Sequence, residues 1–393
     1  MSAVAFLMYG VGSLSGGGGA ERFFADFFSD YRSDSKAGFR CFFILDTSSL
    51  SELERIGRIK SRKGILRFRF FPNRFKVVME GLDLLRLILW YRIDILHIPL
   101  YDRSYVPLLE WIDRLPSWLR PKMVINIVNC YVAPALADPS NNYHNSMTKT
   151  YRPLFQRVSI DGYFCWNRNF EDYAKANTDA FLRPPEQIRS IRSRYANIVL
   201  YRASEIKQKW VVFASRMDAQ KNPHWIILAL AIIAERSPAL LSGWRFKLCG
   251  DGPLRNSVID LAQKIGVASY VDFLVVSEMH GVLNPSMIYV STQDFENFPS
   301  LSMAEAMASG NAIVARDVGQ TSLFLQNDSN GVLIHPDSPE GLASALMQLM
   351  TDAALVDRMG KYSRYLIDNT HTYSNFVSQV ESFWRAVIDS GRK

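Results

Sequence analysis

Short apolar runs alternate with longer segments of helical spacing along nearly the whole chain, and the alternation begins twice. This pattern makes a parallel sheet with helices on both faces, because parallel strands must be joined by crossovers that helices supply. In the first half the apolar runs fall at Ala3–Tyr9, Phe39–Asp46, Ile65–Phe71, Asp94–Ile98, Met123–Asn129 and Gly162–Trp166. Between the first two, Phe23, Phe24, Phe27, Phe28 and Tyr31 recur at helical spacing, the stripe of a core-facing helix over Glu21–Tyr31.

A segment from 184 to 209, with a proline pair, scattered charges and one short apolar run, marks an interdomain boundary. The series then restarts, with strands at Trp210–Ser215, Phe246–Leu248, Val271–Val276, Ile288–Ser291, Ala312–Ala315 and Val332–His335. Helices follow at Pro223–Glu235, Leu254–Ile265, Ser302–Ser309 and Pro339–Met350. With 393 residues, 48% of them hydrophobic, the chain can bury two cores. The expected fold is α/β, with two Rossmann-like domains, 1–203 and 204–372, facing each other across a cleft. A C-terminal helix within 373–393, whose stripe is Phe376, Val377, Val380, Phe383, Trp384 and Val387, is expected to pack back toward the first domain. Ligands of such sheets sit beyond the carboxyl ends of the strands, so the loops after strands are where chemistry is sought.

The charge is unevenly divided. Residues 1–205 carry 29 Lys+Arg against 20 Asp+Glu, a net of +9, and the remainder 16 against 18, a net of −2. Nine cations fall between Arg55 and Lys76 with no acidic residue among them, interleaved with Ile65, Leu66, Phe68, Phe70 and Phe71. That mixture suits an anionic membrane surface or, equally, a solvated face beside a strand. No helix-turn-helix, zinc-finger or RNA-recognition pattern accompanies the charge, so nucleic acid is not an expected partner. The start MSAVAFLMYGVG reads as a first strand and not a signal peptide, and the stretch Leu82–Ile98 is too broken by Asp83, Arg86, Arg92 and Asp94 to span a bilayer. The four cysteines lie far apart beside apolar runs, as reduced buried thiols do, which points to a cytoplasmic protein with at most peripheral contact to the inner face of a membrane.

Four segments at strand ends carry candidate chemistry. Gly16–Gly19 lies between the first strand and a helix, where backbone N–H groups meet an anion or the chain forms an open loop. Ser215–Pro223 places Arg216 and Lys221 at a strand's carboxyl end, suited to a diphosphate or to a charged surface loop with Asn222 capping the helix that follows. Leu248–Leu254 holds Gly250 and Gly252 in a βα turn, whose backbone is free to be purely structural or to touch a ligand. Phe295–Gly310 carries Glu296, the loop Phe298, Pro299, Ser300 and Leu301, and Glu305 in an expected first helical turn. There the N–H groups of Ser300 to Met303 can face a phosphate and a carboxylate can accept two ribose hydroxyls, or Ser302 and Glu305 form a capping box.

Taken in order, Arg216-x4-Lys221-Asn222, Gly250-Asp251-Gly252-Pro253, Glu296-Asn297-Phe298-Pro299, Glu305-Ala306-Met307-Ala308-Ser309-Gly310, Ala312–Gly319 and Asn330–Ile334 resemble the nucleotide-sugar-binding half of family 4 glycosyltransferases. The N-terminal Gly18-Gly19-Ala20-Glu21-Arg22 and Asp94-Ile95-Leu96-His97 look like that family too. The resemblance implies a GT-B fold, a nucleoside-diphosphate sugar donor, transfer with retention to a glycan or lipid-linked acceptor, and no metal or other cofactor. It implies that Glu305 binds the donor ribose, Arg216 and Lys221 hold the diphosphate, and Glu296 lies by the transferred sugar. Residues 298–301 then contact sugar hydroxyls, Gly17 and Gly18 flank the diphosphate, and His97 approaches the reacting sugar. Glu296 and Glu305 enclose one residue more than the family pattern, which leaves Glu296 or Asn297 for the first position, and where the pattern has Gly-Gly and a following glutamate this chain has Gly319, Gln320 and no acid. Two other readings stand beside the transferase: a non-catalytic nucleotide-sugar-binding subunit and a nucleotide-sugar epimerase.

Overall fold

The run Ala3–Met8 (β1) is buried at every position and pairs in parallel on both sides, which is why it reads as an unbroken apolar run instead of an alternating one. It lies inside a sheet that continues with β2 (Arg40–Asp46), β3 (Ile65–Phe68), β4 (Ile95–Ile98), β5 (Lys122–Ile127), β6 (Gly162–Cys165) and β7 (Gln187–Ser190). All pairings are parallel, in the order β3-β2-β1-β4-β5-β6-β7. A second parallel sheet contains β8 (Gln208–Ala214), β9 (Arg245–Cys249), β10 (Val271–Leu274), β11 (Ser286–Ser291), β12 (Ala312–Ala315) and β13 (Gly331–Leu333), ordered β10-β9-β8-β11-β12-β13. These elements are taken from a computed structural model describing residues 1–8, 19–55, 57, 59, 61–69, 76–138, 145–276 and 278–390. In each sheet the strand order reverses beside its first strand, between β1 and β4 and between β8 and β11. Those are the switch points at which an open α/β sheet leaves a crevice.

The chain divides into two units, residues 1–191 with 377–393, and residues 192–376. The first division falls at 191/192, not at 203/204. Residues 192–203 belong with the second unit because Ser193 Oγ donates to Thr370 O (3.1 Å), Tyr195 stacks edge-on with Tyr373, and Asn284 Nδ2 donates to Leu200 O (2.9 Å). The boundary segment also contains β7, a polar edge strand with one aliphatic residue, which no apolar run announces. Helices Lys76–Tyr91 and Ala353–Asn369 likewise stand outside the expected elements.

The helix Tyr373–Asp389 supplies its later turns to the first unit. There Trp384 is fully buried, its ring 5.3 Å from Phe39, 5.7 Å from Tyr31 and 5.8 Å from Phe6, and Phe383 lies 5.1 Å from Phe164. Glu381 accepts from Tyr31 Oη (2.7 Å) and Gly38 N (2.6 Å), which fixes the register of the helix on the sheet. Among the described residues no disulfide forms. Cys41, Cys165 and Cys249 are buried, whereas Cys130 is only partly so. No helix among the described residues is long and apolar enough to cross a membrane.

Candidate functional site

The loops that leave β8 and β11 flank the switch point of the second sheet, and hydrogen bonds stitch them together. Thr292 Oγ1 donates to Lys221 O (2.7 Å), Asn222 Nδ2 donates to Thr292 O (3.1 Å), and Asp294 N donates to Gln220 O (3.0 Å). Asn222 adopts φ +45, a left-handed turn into the helix His224–Arg236 that an asparagine tolerates better than most residues. Its amide is therefore spent on the neighbouring loop and caps no helix. Lys221 donates from Nζ to Gln293 Oε1, and Gln293 Nε2 donates to the backbone carbonyl Glu296 O, so the ammonium is tied through Gln293 to the backbone of the Glu296 loop. Arg216, in the same β8 loop, is 72% exposed along its side chain, with Nε 3.9 Å from Asp218.

The Gly250-Asp251-Gly252 turn holds that loop from beneath. Met217 N donates to Asp251 O (2.9 Å) and Leu254 N to Met217 O (2.9 Å). Gly250 and Gly252 have φ +150 and +153, and a Cβ on Gly252 would stand 2.5 Å from Met217 O, while one on Gly250 would meet Ser215 O. The two glycines thus allow close backbone approach to the Arg216 loop.

Asn297 is fully buried and completely engaged. Its Oδ1 accepts from Ser291 Oγ (2.7 Å) and Gln293 Nε2 (3.0 Å), and its Nδ2 donates to Arg316 O and Thr321 Oγ1 (2.8 Å each). It organises the loop, leaving Glu296 as the acid of the pair. Glu296 Oε1 accepts from Gln320 N (2.7 Å) and Phe298 N (3.0 Å), and Oε2 lies where any side chain at Gly319 (φ +56) would stand. Burial pushes the carboxyl up to about 7, against the N–H groups that favour its ionised form. The folded state therefore holds an extra proton between the ordinary carboxylate range and pH 7. The stability it contributes is complete in acid and is lost as pH rises through that window. Comparing wild type with Glu296→Gln by urea denaturation from pH 5 to 8 should show a slope, worth on the order of 1–2 kcal/mol, that the variant lacks.

The helix after β11 runs from Leu301 to Ala308 and is capped by Ser300, whose Oγ accepts from Met303 N (3.3 Å). Ser302 cannot form the expected capping box, because its hydroxyl is held by Tyr289 Oη (2.8 Å) and it already lies inside the helix. Glu305 falls in the second turn, not the first. Of the four N–H groups expected to face a phosphate, Ser300 N donates to Asn297 O (2.9 Å) and Met303 N to its cap. Among the described residues no acceptor takes those of Leu301 and Ser302, which remain the two donors at the helix end. The Phe298 ring is buried, 4.9 Å from Phe324, so that ring is packed in the core and is not offered to a ligand.

Sequence reasoning missed Arg194. It is 1% exposed, and burial lowers its pKa to about 9 while the charge of Glu305 raises it. No spacing rule links a residue of the inter-unit segment to a helix more than a hundred positions later, so only the fold brings the pair together. Gln293, the link between Lys221 and Glu296, also had no motif behind it. Gly17 and Gly18 lie outside the described residues.

The role expected of His97 needs correction. The residue sits in β4, 2% exposed, on the sheet face covered by the C-terminal helix. Trp384 Nε1 donates to its Nδ1 (3.1 Å), which leaves Nε2 as the protonated nitrogen, donating to Asn126 Oδ1 (2.6 Å). Both nitrogens are spent inside the core, and burial lowers the pKa to about 4, so the ring is a neutral clamp on Trp384 and not a group facing a sugar. His97→Leu should cost about 2 kcal/mol in urea denaturation, because it strands the indole N–H and the Asn126 carbonyl. It should leave donor affinity of the folded protein unchanged, and a selective loss of affinity would restore the original reading.

Residues 202–365 match the family described as "Glycosyl transferases group 1". The chain is 28% identical over 288 residues to a D-inositol 3-phosphate glycosyltransferase of Corynebacterium glutamicum, covering 67% of each protein. It is 31% identical over 161 residues to an exopolysaccharide phosphotransferase of Streptomyces coelicolor, covering 40% of this chain and 17% of that one. The chain spans less than half the length of most of the curated relatives it matches. Among solved structures it resembles Anabaena Alr3699/HepE in complex with UDP, with a TM-score of 0.71 at 16% identity over 98% of this chain and 100% of that one. The fold is therefore GT-B, built from two Rossmann-like halves.

Proposed function

We propose that this chain, whose second unit matches the group 1 glycosyl transferases, transfers a sugar from a nucleoside-diphosphate donor to a glycan or lipid-linked glycan bound mainly by the first unit, with retention at the anomeric carbon. The observation that carries the proposal is the stitched pair of loops at the β8/β11 switch point, which puts Lys221, Glu296 and the Leu301–Ala308 helix end on one hydrogen-bonded framework.

The chemistry asks chiefly for charge stabilisation. As the bond between anomeric carbon and diphosphate breaks, negative charge grows on the departing phosphate, and fixed cations there act more strongly on the transition state than on the bound donor. Arg216 and Lys221 supply that charge, helped by the N–H groups of Leu301 and Ser302 at the positive helix end. Glu305 accepts from the ribose hydroxyls, and its charge acts on the buried Arg194. Glu296, partly protonated near neutral pH, bonds the sugar. Protein cations replace a divalent ion in this scheme, so transfer should be insensitive to chelator.

The test is incubation with UDP-, GDP- and ADP-sugars and glycan acceptors, followed by NMR of the product. The UDP sugars come first, because structurally similar Alr3699/HepE has been crystallised with UDP and UDP-glucose. The same anomeric configuration in donor and product supports the proposal, and an inverted product refutes its stereochemical part. Donor binding without transfer to any acceptor would favour a binding subunit. Conversion of the donor alone would favour an epimerase.

A further inference from the structure

The helix Lys76–Tyr91 is sixteen residues long and covers one side of the first sheet, yet much of its outer surface is apolar. Val78 is 47% exposed, Met79 40%, Leu82 50%, Leu89 54% and Trp90 79%. At helical spacing these five occupy about a third of the circumference and run the length of the helix. Its opposite side, with Leu84, Leu87 and Ile88, is buried in the core, so the helix is apolar on two faces. A solvated helix has no use for the second apolar face.

What surrounds the stripe selects its occupant. Lys76 stands at one end, Arg92 just past the other, and Arg86 between, 57% exposed and paired with Asp83 (2.8 Å). Beside the helix, β3 is the edge strand of its sheet; Arg67 and, just beyond the strand, Arg69 face outward, with Leu66 and Phe68 turned inward. The basic run itself is less available than its composition suggests, since Arg55 pairs with Glu52 (2.7 Å) and Arg62 with Glu54 (2.6 Å). Arg58, Lys60 and Arg74 lie outside the described residues. A second exposed indole, Trp118 (80%), lies in the turn before β5, which starts beside the residue preceding β4, where Lys122 N donates to Asp94 O (2.9 Å). Trp90 and Trp118 therefore stand at the same, amino-terminal edge of the sheet.

We infer that the outer face of Lys76–Tyr91 is a docking surface for an anionic phospholipid bilayer, with the helix lying in the interface plane. The aliphatic side chains and Trp90 enter the headgroup boundary, and Arg67, Arg69, Arg86 and Arg92 meet lipid phosphates. A protein partner of matching shape would complement the apolar stripe but has no need of the flanking cations. The helix starts at the level of the strands' carboxyl ends, where Rossmann-like sheets hold ligands. A bilayer along it therefore brings the acceptor side of the first unit within reach of lipid-borne molecules. The inference does not depend on donor chemistry.

Co-sedimentation of the full chain with vesicles of phosphatidylcholine alone, and of phosphatidylcholine with phosphatidylglycerol, tests it. Retention is expected on the anionic vesicles only and should weaken with added salt. Leu89→Gln with Trp90→Gln should lower retention by roughly tenfold, and Arg67→Gln with Arg69→Gln should weaken the preference for phosphatidylglycerol. All four positions are exposed, and circular dichroism with the donor-induced thermal shift shows whether each variant remains folded. Equal retention on both lipids, no retention on either, or unchanged binding by the Leu89/Trp90 variant overturns the inference. So does light scattering that shows a dimer of the wild type dissociating in that variant, since the face would then belong to a second copy.

Discussion

Lys221→Ala is expected to lower the transfer rate by roughly a hundredfold or more, about 3 kcal/mol in the barrier. The lysine is held by another part of the site, through Gln293 to the Glu296 carbonyl. Its removal takes away charge placed where the leaving diphosphate grows negative, and loosens the bond that ties the two loops. Arg216→Ala should cost a comparable factor with a simpler structural consequence. Its side chain is largely exposed and makes one long ion pair to Asp218, so folding should change by no more than about 0.5 kcal/mol. Single-turnover rates at saturating donor separate the two effects. Transfer at wild-type rate in both variants would remove the diphosphate role from this loop.

Gly252→Ala should destabilise the second unit by roughly 2–4 kcal/mol and abolish donor binding with it. At φ +153 an alanine is strained, and its methyl carbon would lie 2.5 Å from Met217 O and 2.9 Å from Met217 N. Met217 is fully buried and cannot retreat into space, so the displacement passes to its neighbour Arg216. Urea denaturation reads the first effect and calorimetric donor titration the second. A stable variant that binds donor normally would show that the Arg216 loop adapts, against the rigid support described above.

Both sheets were legible in the sequence because their central strands are buried on two faces and leave continuous apolar runs, as in Ala3–Met8 and Ala312–Ala315. What escaped did so for physical reasons. Strand β7 is an edge strand whose residues are mostly half-exposed, so no run marks it. The helix Lys76–Tyr91 carries apolar residues outside as well as inside, which erases the 3.6-residue contrast by which helices are recognised.

At the candidate site, the order of motifs led to loops that the fold does set at strand ends, but it misjudged what individual side chains do within them. Ser302 looked like the cap because a glutamate follows it at the right distance; Ser300 takes the role because Tyr289, eleven positions before it, occupies the Ser302 hydroxyl. His97 stands at a strand end, where ligands are sought, but the two-residue alternation of the strand turns its ring to the face that Trp384 covers. Such partners lie far apart in the chain, and no local spacing encodes them.

The central claim is that the switch point of the second sheet grips a pyrophosphate-linked saccharide. Thermal unfolding of the full chain with UDP-, GDP- and ADP-sugars tests it most directly, because a ligand bound by the native state alone stabilises that state by about 2.7 kcal/mol at a hundredfold excess over Kd. At least one nucleotide sugar should raise the midpoint of unfolding, and the shift should vanish in an Arg216→Ala, Lys221→Ala double variant. A midpoint unmoved by every nucleotide sugar, or an equal rise in the double variant, would contradict the claim.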